Sequence, residues 1–309
     1  MSTAPFQRRA LTVTAVQQLG AYTVLRAAEQ PVAGGQSGAR AAVPAPGAAV
    51  PAPGAAVPAP GAAVPAPGAA VPAPGQFAML AAVERWGGGE DERPYLARAF
   101  SYARHTQGEA HFLLEDVGPG TRRLCELGVG ERMWALGPLG RGFKAGGPDL
   151  HGRRALLVGG GVGIAPLAIL QDALASSGEA ATVLLGFRDR ARAEGAALLT
   201  HPRVATDDGS VGHHGLVTQL LADELRRDAR AVVYACGPAP MLESVRALCE
   251  RTQVPAQLAL EAGMACGFGA CFGCVVPRRG GGYLRACVDG PVIDAAELEH
   301  VDAHAGAPA

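Results

Sequence analysis

An excess of charge of either sign is missing from this sequence. Its 27 Lys and Arg stand against 28 Asp and Glu, a formal net charge of −1. No global field therefore draws the chain to nucleic acid or to an anionic membrane. No export leader is expected from the first residues either: MSTAPFQRRALTVTAVQQLG has neither an apolar core nor a cleavage signal. Long hydrophobic runs are scarce. The longest charge-free apolar stretch outside a Pro/Ala tract, Ala155 to Leu170, is interrupted by glycines and by Pro166, so it does not read as a membrane span. No Ser–His–Asp or paired-carboxylate arrangement stands out, which points to chemistry carried by cofactors rather than side chains. Seven cysteines without an export signal suit a reducing compartment and metal chemistry, so the expectation is a cytoplasmic protein.

What is present is concentrated near the C-terminus. Cys266, Cys271, Cys274 and Cys287 read C-x4-C-x2-C-x12-C, and the first three follow the spacing that wraps a [2Fe–2S] cluster. Gly267, Gly269 and Gly273 between them let the backbone curl and aim N–H groups at cluster sulfurs. Zinc accepts the same four thiolates, but its sites usually pair cysteines as two short C-x2-C knuckles, and only one knuckle is present here. A cluster moves single electrons, so the rest of the chain should hold their donor or acceptor.

With 309 residues, 49% of them hydrophobic and 18% charged, the chain has room for two or three domains. VPAPG occurs five times between residues 43 and 75 at a period of seven. Such a stretch has too little apolar surface to offset its ordering entropy, and proline biases it to an extended form, so a mobile insert is expected at about 33–73. Around it the first half reads as short strands separated by turns: Leu11–Gln18, Tyr22–Ala27, Phe77–Val83, Ala99–Ala103, Ala110–Glu115 and Arg132–Leu136. That pattern suggests a small antiparallel barrel over 1–150, with a helix at Thr121–Leu127. From Arg154 strands and helices alternate: Ala155–Val158, Ala165–Ala175, Ala181–Phe187, Leu216–Leu225, Ala231–Ala235 and Pro240–Glu250. A parallel α/β domain over 151–252 follows, with ligands at the carboxyl ends of its strands. Residues 253–309 make a small cluster module.

Between these elements lie the binding motifs. Gly159 to Pro166 spell GGGVGIAP, a G-x-G-x-x-P variant built on Gly161, Gly163 and Pro166 that lets backbone approach a pyrophosphate at a helix start. Cys236, Gly237 and Pro238 follow the third strand, where a second ligand-facing loop belongs. In the barrel half, Arg98, Ala99, Phe100 and Ser101 put a guanidinium, an aromatic ring and a hydroxyl on one strand, suited to a pyrophosphate, a flat ring and a ribityl oxygen. Gly118-Pro119-Gly120-Thr121 opens a helix. Asp189 after the second α/β strand would bond a ribose 2′-hydroxyl, whereas Arg188, Arg190 and Arg192 around it would suit a 2′-phosphate. Asp207 to Ser210 read as a polar turn, His213 and His214 as surface residues, and Cys125 and Cys249 as core.

In their order, PGQF, RAFS, GPGT, GPLGRGF, GGGVGIAPL and CGPAPM resemble the ferredoxin–NADP reductase superfamily. With MACGFGACFGC and CVDGPV added, the chain is similar to the electron-transfer subunits of NAD-dependent dihydroorotate dehydrogenases. The likeness extends over nearly everything except about 33–73. It implies a flavin-binding β-barrel, a nicotinamide-binding parallel α/β domain and a small C-terminal [2Fe–2S] module. Arg98 to Ser101, Leu113, Leu114, Glu115, Gly120 and Thr121 would contact FAD, the four cysteines would hold the cluster, and the nicotinamide cofactor would be NAD. The implied partner is an FMN-containing catalytic subunit that oxidises dihydroorotate to orotate, in a heterotetramer. Two other readings remain: a subunit of a different redox complex, such as a sulfide dehydrogenase, hydrogenase or bifurcating transhydrogenase, or a non-enzymatic binding protein.

Overall fold

The computed structural model describes residues 8–29, 71–87, 94–145, 150 and 152–301. Most of the Pro/Ala insert expected from sequence lies outside that set. Its last unit is described: Pro74 accepts a hydrogen bond from the Phe143 N–H at 2.7 Å, and Gly75 sits at φ +90° against Phe143. The described end of the tract is thus tied to the fold.

Strands β1 (Arg8–Leu19), β2 (Tyr22–Glu29), β3 (Phe77–Ala82), β4 (Arg98–Thr106), β5 (Glu109–Glu115) and β6 (Arg132–Leu139) close an antiparallel barrel in the order β1-β2-β5-β4-β3-β6. Their alternation fills it with Leu11, Val13, Leu25, Leu80, Phe112, Leu114 and Met133. β4 runs three residues past the Ala103 boundary expected from sequence, because a bulge between Tyr102 and Arg104 lets pairing continue to Thr106. Helix α1 (Pro119–Cys125) starts earlier than Thr121, since Pro119 supplies the φ of a first helical residue and has no N–H to waste.

The second layer is a seven-stranded sheet, β10-β9-β8-β7-β11-β12-β15. Its strands are β7 (Arg154–Gly160), β8 (Ala181–Phe187), β9 (Arg203–Thr206), β10 (His213–His214), β11 (Ala231–Cys236), β12 (Ala256–Ala259) and β15 (Val292–Asp294). All pairs are parallel except β12 with β15. β11 is buried at every position, as a strand covered on both faces must be. Helices α2 (Ala165–Ser176), α3 (Arg190–Ala193), α4 (Val217–Arg227) and α5 (Ala239–Thr252) flank the sheet. α4 presents Val217, Leu220, Leu221 and Leu225 inward at helical spacing, and its buried Glu224 is met by Arg154, Arg203 and Arg227 at 2.5–3.0 Å.

Sheet and barrel are locked together. Ile169 of α2 packs into the barrel core, and Arg104 of β4 meets Asp172 of α2 at 2.7 Å. The helix that follows the glycine loop therefore lies on the barrel, and the loop is turned toward β4. Residues 261–291, with the short ribbon β13 (Val275–Pro277) and β14 (Tyr283–Arg285), form an excursion between two strands of the sheet. β12 and β15 lie within the stretch that sequence assigned to the cluster module, yet they pair with the sheet. Among the described residues, no helix is long and apolar enough to cross a membrane.

Candidate functional site

One cleft of about 620 Å³ opens where barrel, sheet and excursion meet. Arg98, Ala99, Phe100 and Ser101 of β4 form its barrel wall, with Leu113 of β5 and the loop Val117–Thr121 beside them. Arg98 lies directly over Gly120: a Cβ there would stand 2.7 Å from the Arg98 Nε, so only glycine lets the guanidinium rest on the helix start. Arg98 Nη1 donates to the Leu96 carbonyl at 2.6 Å. The Thr121 hydroxyl accepts from the N–H groups of Val117 and Gly118 at 2.9 and 3.0 Å and donates to the Gly118 carbonyl, which sets the loop's curl. Phe100 also belongs to the barrel core.

Val162, Gly163, Ala165, Pro166 and Cys236 make the opposite wall. Gly163 holds two loops together, because a Cβ there would come within 2.6 Å of the Gly237 Cα and 2.7 Å of its nitrogen. Gly159, Gly161, Gly237 and Pro238 do not line this cleft; Gly159 is covered by Leu185, Ile164 and Leu167, a Cβ on Gly161 would meet open space, and Pro238 precedes α5. Cys236 is buried, and burial pushes its thiol well up, with the Glu261 charge adding to the rise. It lines the cleft as a neutral thiol.

Two of the barrel residues named from sequence turn elsewhere. Leu114 points into the barrel core, as strand alternation requires next to the cleft-facing Leu113. Glu115 takes the Arg192 Nε at 2.9 Å.

The third wall, Ala259–Ala265 with Pro291, was not anticipated. A four-residue strand leaves little periodicity to read, and Glu261 looks like an ordinary surface residue in sequence. Its side chain is open to the cleft but crowded by protein, which raises its carboxyl, and the Glu115 charge raises it further.

Ala265 lines the cleft and Cys266 follows it directly. Beyond, Cys274 and Cys287 are buried with their sulfurs 3.2 Å apart, packed on Phe77, Met79 and Leu139 of the barrel. Gly267, at φ +80°, fits against Met79, where a Cβ would stand 2.5 Å from the Cγ. The Gly273 N–H donates to the Cys271 sulfur at 3.5 Å. Burial works to raise the Cys266 thiol, but N–H groups of Phe268, Cys271 and Ala270 outweigh it and bring it to about 7. The hydrogen bond between the Cys274 and Cys287 sulfurs, with nearby N–H groups, brings the Cys274 thiol to about 6, while Cys287 itself is pushed up. Among the described residues, no three His, Cys, Asp or Glu side chains stand in metal-binding geometry. An all-thiol donor set, three thiols on one glycine-rich loop and the fourth just past the β13–β14 ribbon, with N–H groups turned to its sulfurs, nevertheless fits an iron–sulfur cluster.

At the carboxyl end of β8, Asp189 caps α3. Its carboxylate accepts the Arg192 backbone N–H at 3.0 Å and pairs with Arg192 Nη1 at 2.6 Å, which holds it below the usual carboxylate range. Arg190 donates to the Ser210 carbonyl at 2.7 Å, and Asp208 accepts the Ser210 N–H at 2.9 Å, so 207–210 form the polar turn that the sequence suggests. His213 and His214 are exposed, His213 against Gln219, and Cys249 is buried while Cys125 is half-buried.

A mostly apolar cleft between a closed barrel and a parallel sheet, walled by an Arg–aromatic strand and a glycine loop and leading into a cysteine quartet, defines a flavin- and nicotinamide-binding reductase of the ferredoxin–NADP reductase type with an attached iron–sulfur segment. Solved structures agree on the fold. A reduced ferredoxin–NADP oxidoreductase described for its flavin-based electron bifurcation matches with a TM-score of 0.67 and 22% identity, covering 97% of this chain and 92% of that one. The flavohem-like FAD/NAD-binding domain of the nitric oxide dioxygenase of Vibrio cholerae matches at 0.54 and 18% identity, over 80% and 94%. Residues 261–299 match the model of the iron–sulfur cluster binding domain of dihydroorotate dehydrogenase B. The dihydroorotate dehydrogenase B (NAD(+)) electron transfer subunit of Bacillus caldolyticus is 42% identical over 213 residues, 66% of this chain and 80% of that protein. That of Geobacillus thermodenitrificans is 43% identical over 215 residues, with the same shares. The chain belongs to the family of dihydroorotate dehydrogenase B (NAD(+)) electron transfer subunits.

Proposed function

We propose that this chain relays electrons between NAD and a partner subunit that oxidises dihydroorotate, in pyrimidine biosynthesis. The observation that carries the relay is the continuity of cleft and quartet: Ala265 lines one and Cys266 begins the other. FAD bound in the cleft would exchange two electrons with NAD together and part with them singly, and a [2Fe–2S] cluster would carry them one at a time.

The residues' own tasks follow from their geometry. Arg98, resting on Gly120, offers a bidentate guanidinium to a pyrophosphate, and Ser101 a hydroxyl to a flavin oxygen. Leu113, Phe100 and Pro166 exclude water from the flat ring. Gly163, held against Gly237, keeps the two loops of the nicotinamide wall close together. Cys266, Cys271, Cys274 and Cys287 hold the cluster, with the Gly273 N–H stabilising charge on Cys271. No side chain of this chain acts as acid or base on dihydroorotate, which would react on the FMN of the partner. The reading includes a heterotetramer with that partner and a cytoplasmic location, where thiols stay reduced.

Cys271→Ser tests the relay in the purified complex. NADH should still reduce the flavin of the variant, while dihydroorotate-driven NAD reduction stops. Full coupled activity in the variant would remove the quartet from the path.

A further inference from the structure

The barrel does more at this junction than carry one wall of the cleft. It reaches across to α3, the short helix at the carboxyl end of β8, and fixes it at several points. The Ala21 N–H donates to the Ala191 carbonyl at 3.1 Å, Gly20 at φ +59° leaves no room for a Cβ beside that same oxygen, and the Tyr22 ring covers Gly195. One polar side chain joins in. Glu115, at the end of β5, accepts from Arg192 Nε at 2.9 Å, and Arg192 Nη1 is spent on Asp189 at 2.6 Å. Arg192 therefore stands between two carboxylates, one from each domain.

The end of β8 neighbours β7 and its glycine loop, so in a parallel sheet it is where the ribose of a bound dinucleotide's adenosine half falls. A carboxylate there bonds a free 2′-hydroxyl, and a guanidinium there bonds a 2′-phosphate. Asp189 and Arg192 supply one of each. Both Asp189 oxygens keep lone pairs after their bonds to Arg192, so a ribose hydroxyl can still donate to them. Glu115 on Nε and Asp189 on Nη1 each take one atom of the guanidinium's two bidentate edges, so neither edge is whole for a phosphate, although Nη2 keeps its own donors.

We propose that Glu115, a residue of the flavin barrel, sets the nucleotide preference of the α/β domain: by holding Arg192 it withholds that guanidinium from the 2′ position and leaves Asp189 to select a nucleotide with a free 2′-hydroxyl. The inference rests on the nicotinamide reading of the sheet edge given above. Glu115 is a positioning residue, acting through Arg192. Because α3 is also pinned through its backbone by Ala21, loss of the Glu115 carboxylate frees a side chain without freeing the helix.

The test is equilibrium binding to the purified holoprotein, measured by calorimetry with two probes, AMP and adenosine 2′,5′-bisphosphate. E115A should tighten the bisphosphate roughly tenfold, the worth of one charge-assisted hydrogen bond, and leave AMP within about twofold. Adding R192A to it should abolish the gain. E115Q, isosteric and uncharged, should move the same way and serves where E115A does not fold. Parallel weakening of both probes, an unchanged ratio, or a gain that survives R192A would each overturn the inference while leaving nucleotide binding intact. Wild-type protein that binds neither probe would overturn the nicotinamide reading and this inference with it.

Discussion

Replacing Gly120 by Ala separates flavin binding from folding. Gly120 is the second residue of α1, and the added methyl would stand 2.7 Å from Arg98 Nε and 2.9 Å from its Cζ. Ordinary carbon contacts need about 3.5 Å or more, so the guanidinium must retreat by on the order of an ångström. Among the described residues, the displaced group is the end of a flexible side chain bonded to the Leu96 carbonyl, which resists that retreat only weakly. Alanine is also the better helix former, by up to about 1 kcal/mol. The stability of the flavin-free protein should therefore stay level or rise slightly. Flavin affinity should behave otherwise. A guanidinium moved off a pyrophosphate forfeits about 1.5–3 kcal/mol, which is roughly a 10- to 150-fold weaker Kd. Denaturant unfolding of the apoprotein and a flavin fluorescence titration measure the two quantities on the same variant. Unchanged flavin affinity, or a loss of apoprotein stability above about 1 kcal/mol, would refute the assignment of Arg98 over Gly120 as the flavin's anchor.

Gly163→Ala acts on backbone instead of a mobile side chain, since its Cβ meets the Gly237 Cα and nitrogen at 2.6 and 2.7 Å. It should cost about 1–3 kcal/mol of stability, with KM for NADH raised more than flavin affinity is lowered; a melting curve and kinetics matching wild type would contradict the close approach of the two loops. Glu261→Gln probes the raised carboxyl of the third wall. A raised carboxyl favours the protonated form in the folded state, so ionising it as pH rises costs stability that a neutral amide does not lose. The variant should be the more stable at about pH 8, with the gap closing as acid protonates the wild-type group, and a gap constant down to about pH 4 would contradict the assignment.

Much of this arrangement was legible in the chain because its strong signals are local. The barrel strands alternate, β11 is continuously apolar, and helices α2, α4 and α5 follow glycine or proline punctuation, so each element was found within a few residues. Arg98–Ser101, Gly120, Thr121, Gly163, Pro166 and Cys236 were singled out from sequence and do meet on one cleft. What escaped was short or depended on partners far away. β9, β12 and β15 span three or four residues and gain their register only from neighbours already in the sheet. Glu261 becomes distinctive only when the excursion folds back over the cleft. The roles of Leu114 and Glu115 hang on strand phase and on Arg192, which is 77 positions away in the chain.

The relay itself is tested most directly on the complex purified anaerobically, with whatever subunit accompanies this chain. Dihydroorotate and NAD are added and NADH is followed. Formation of NADH that depends on dihydroorotate is the predicted result. A coloured protein that NADH bleaches and dihydroorotate leaves untouched would contradict the proposed partner, even with flavin and cluster in place.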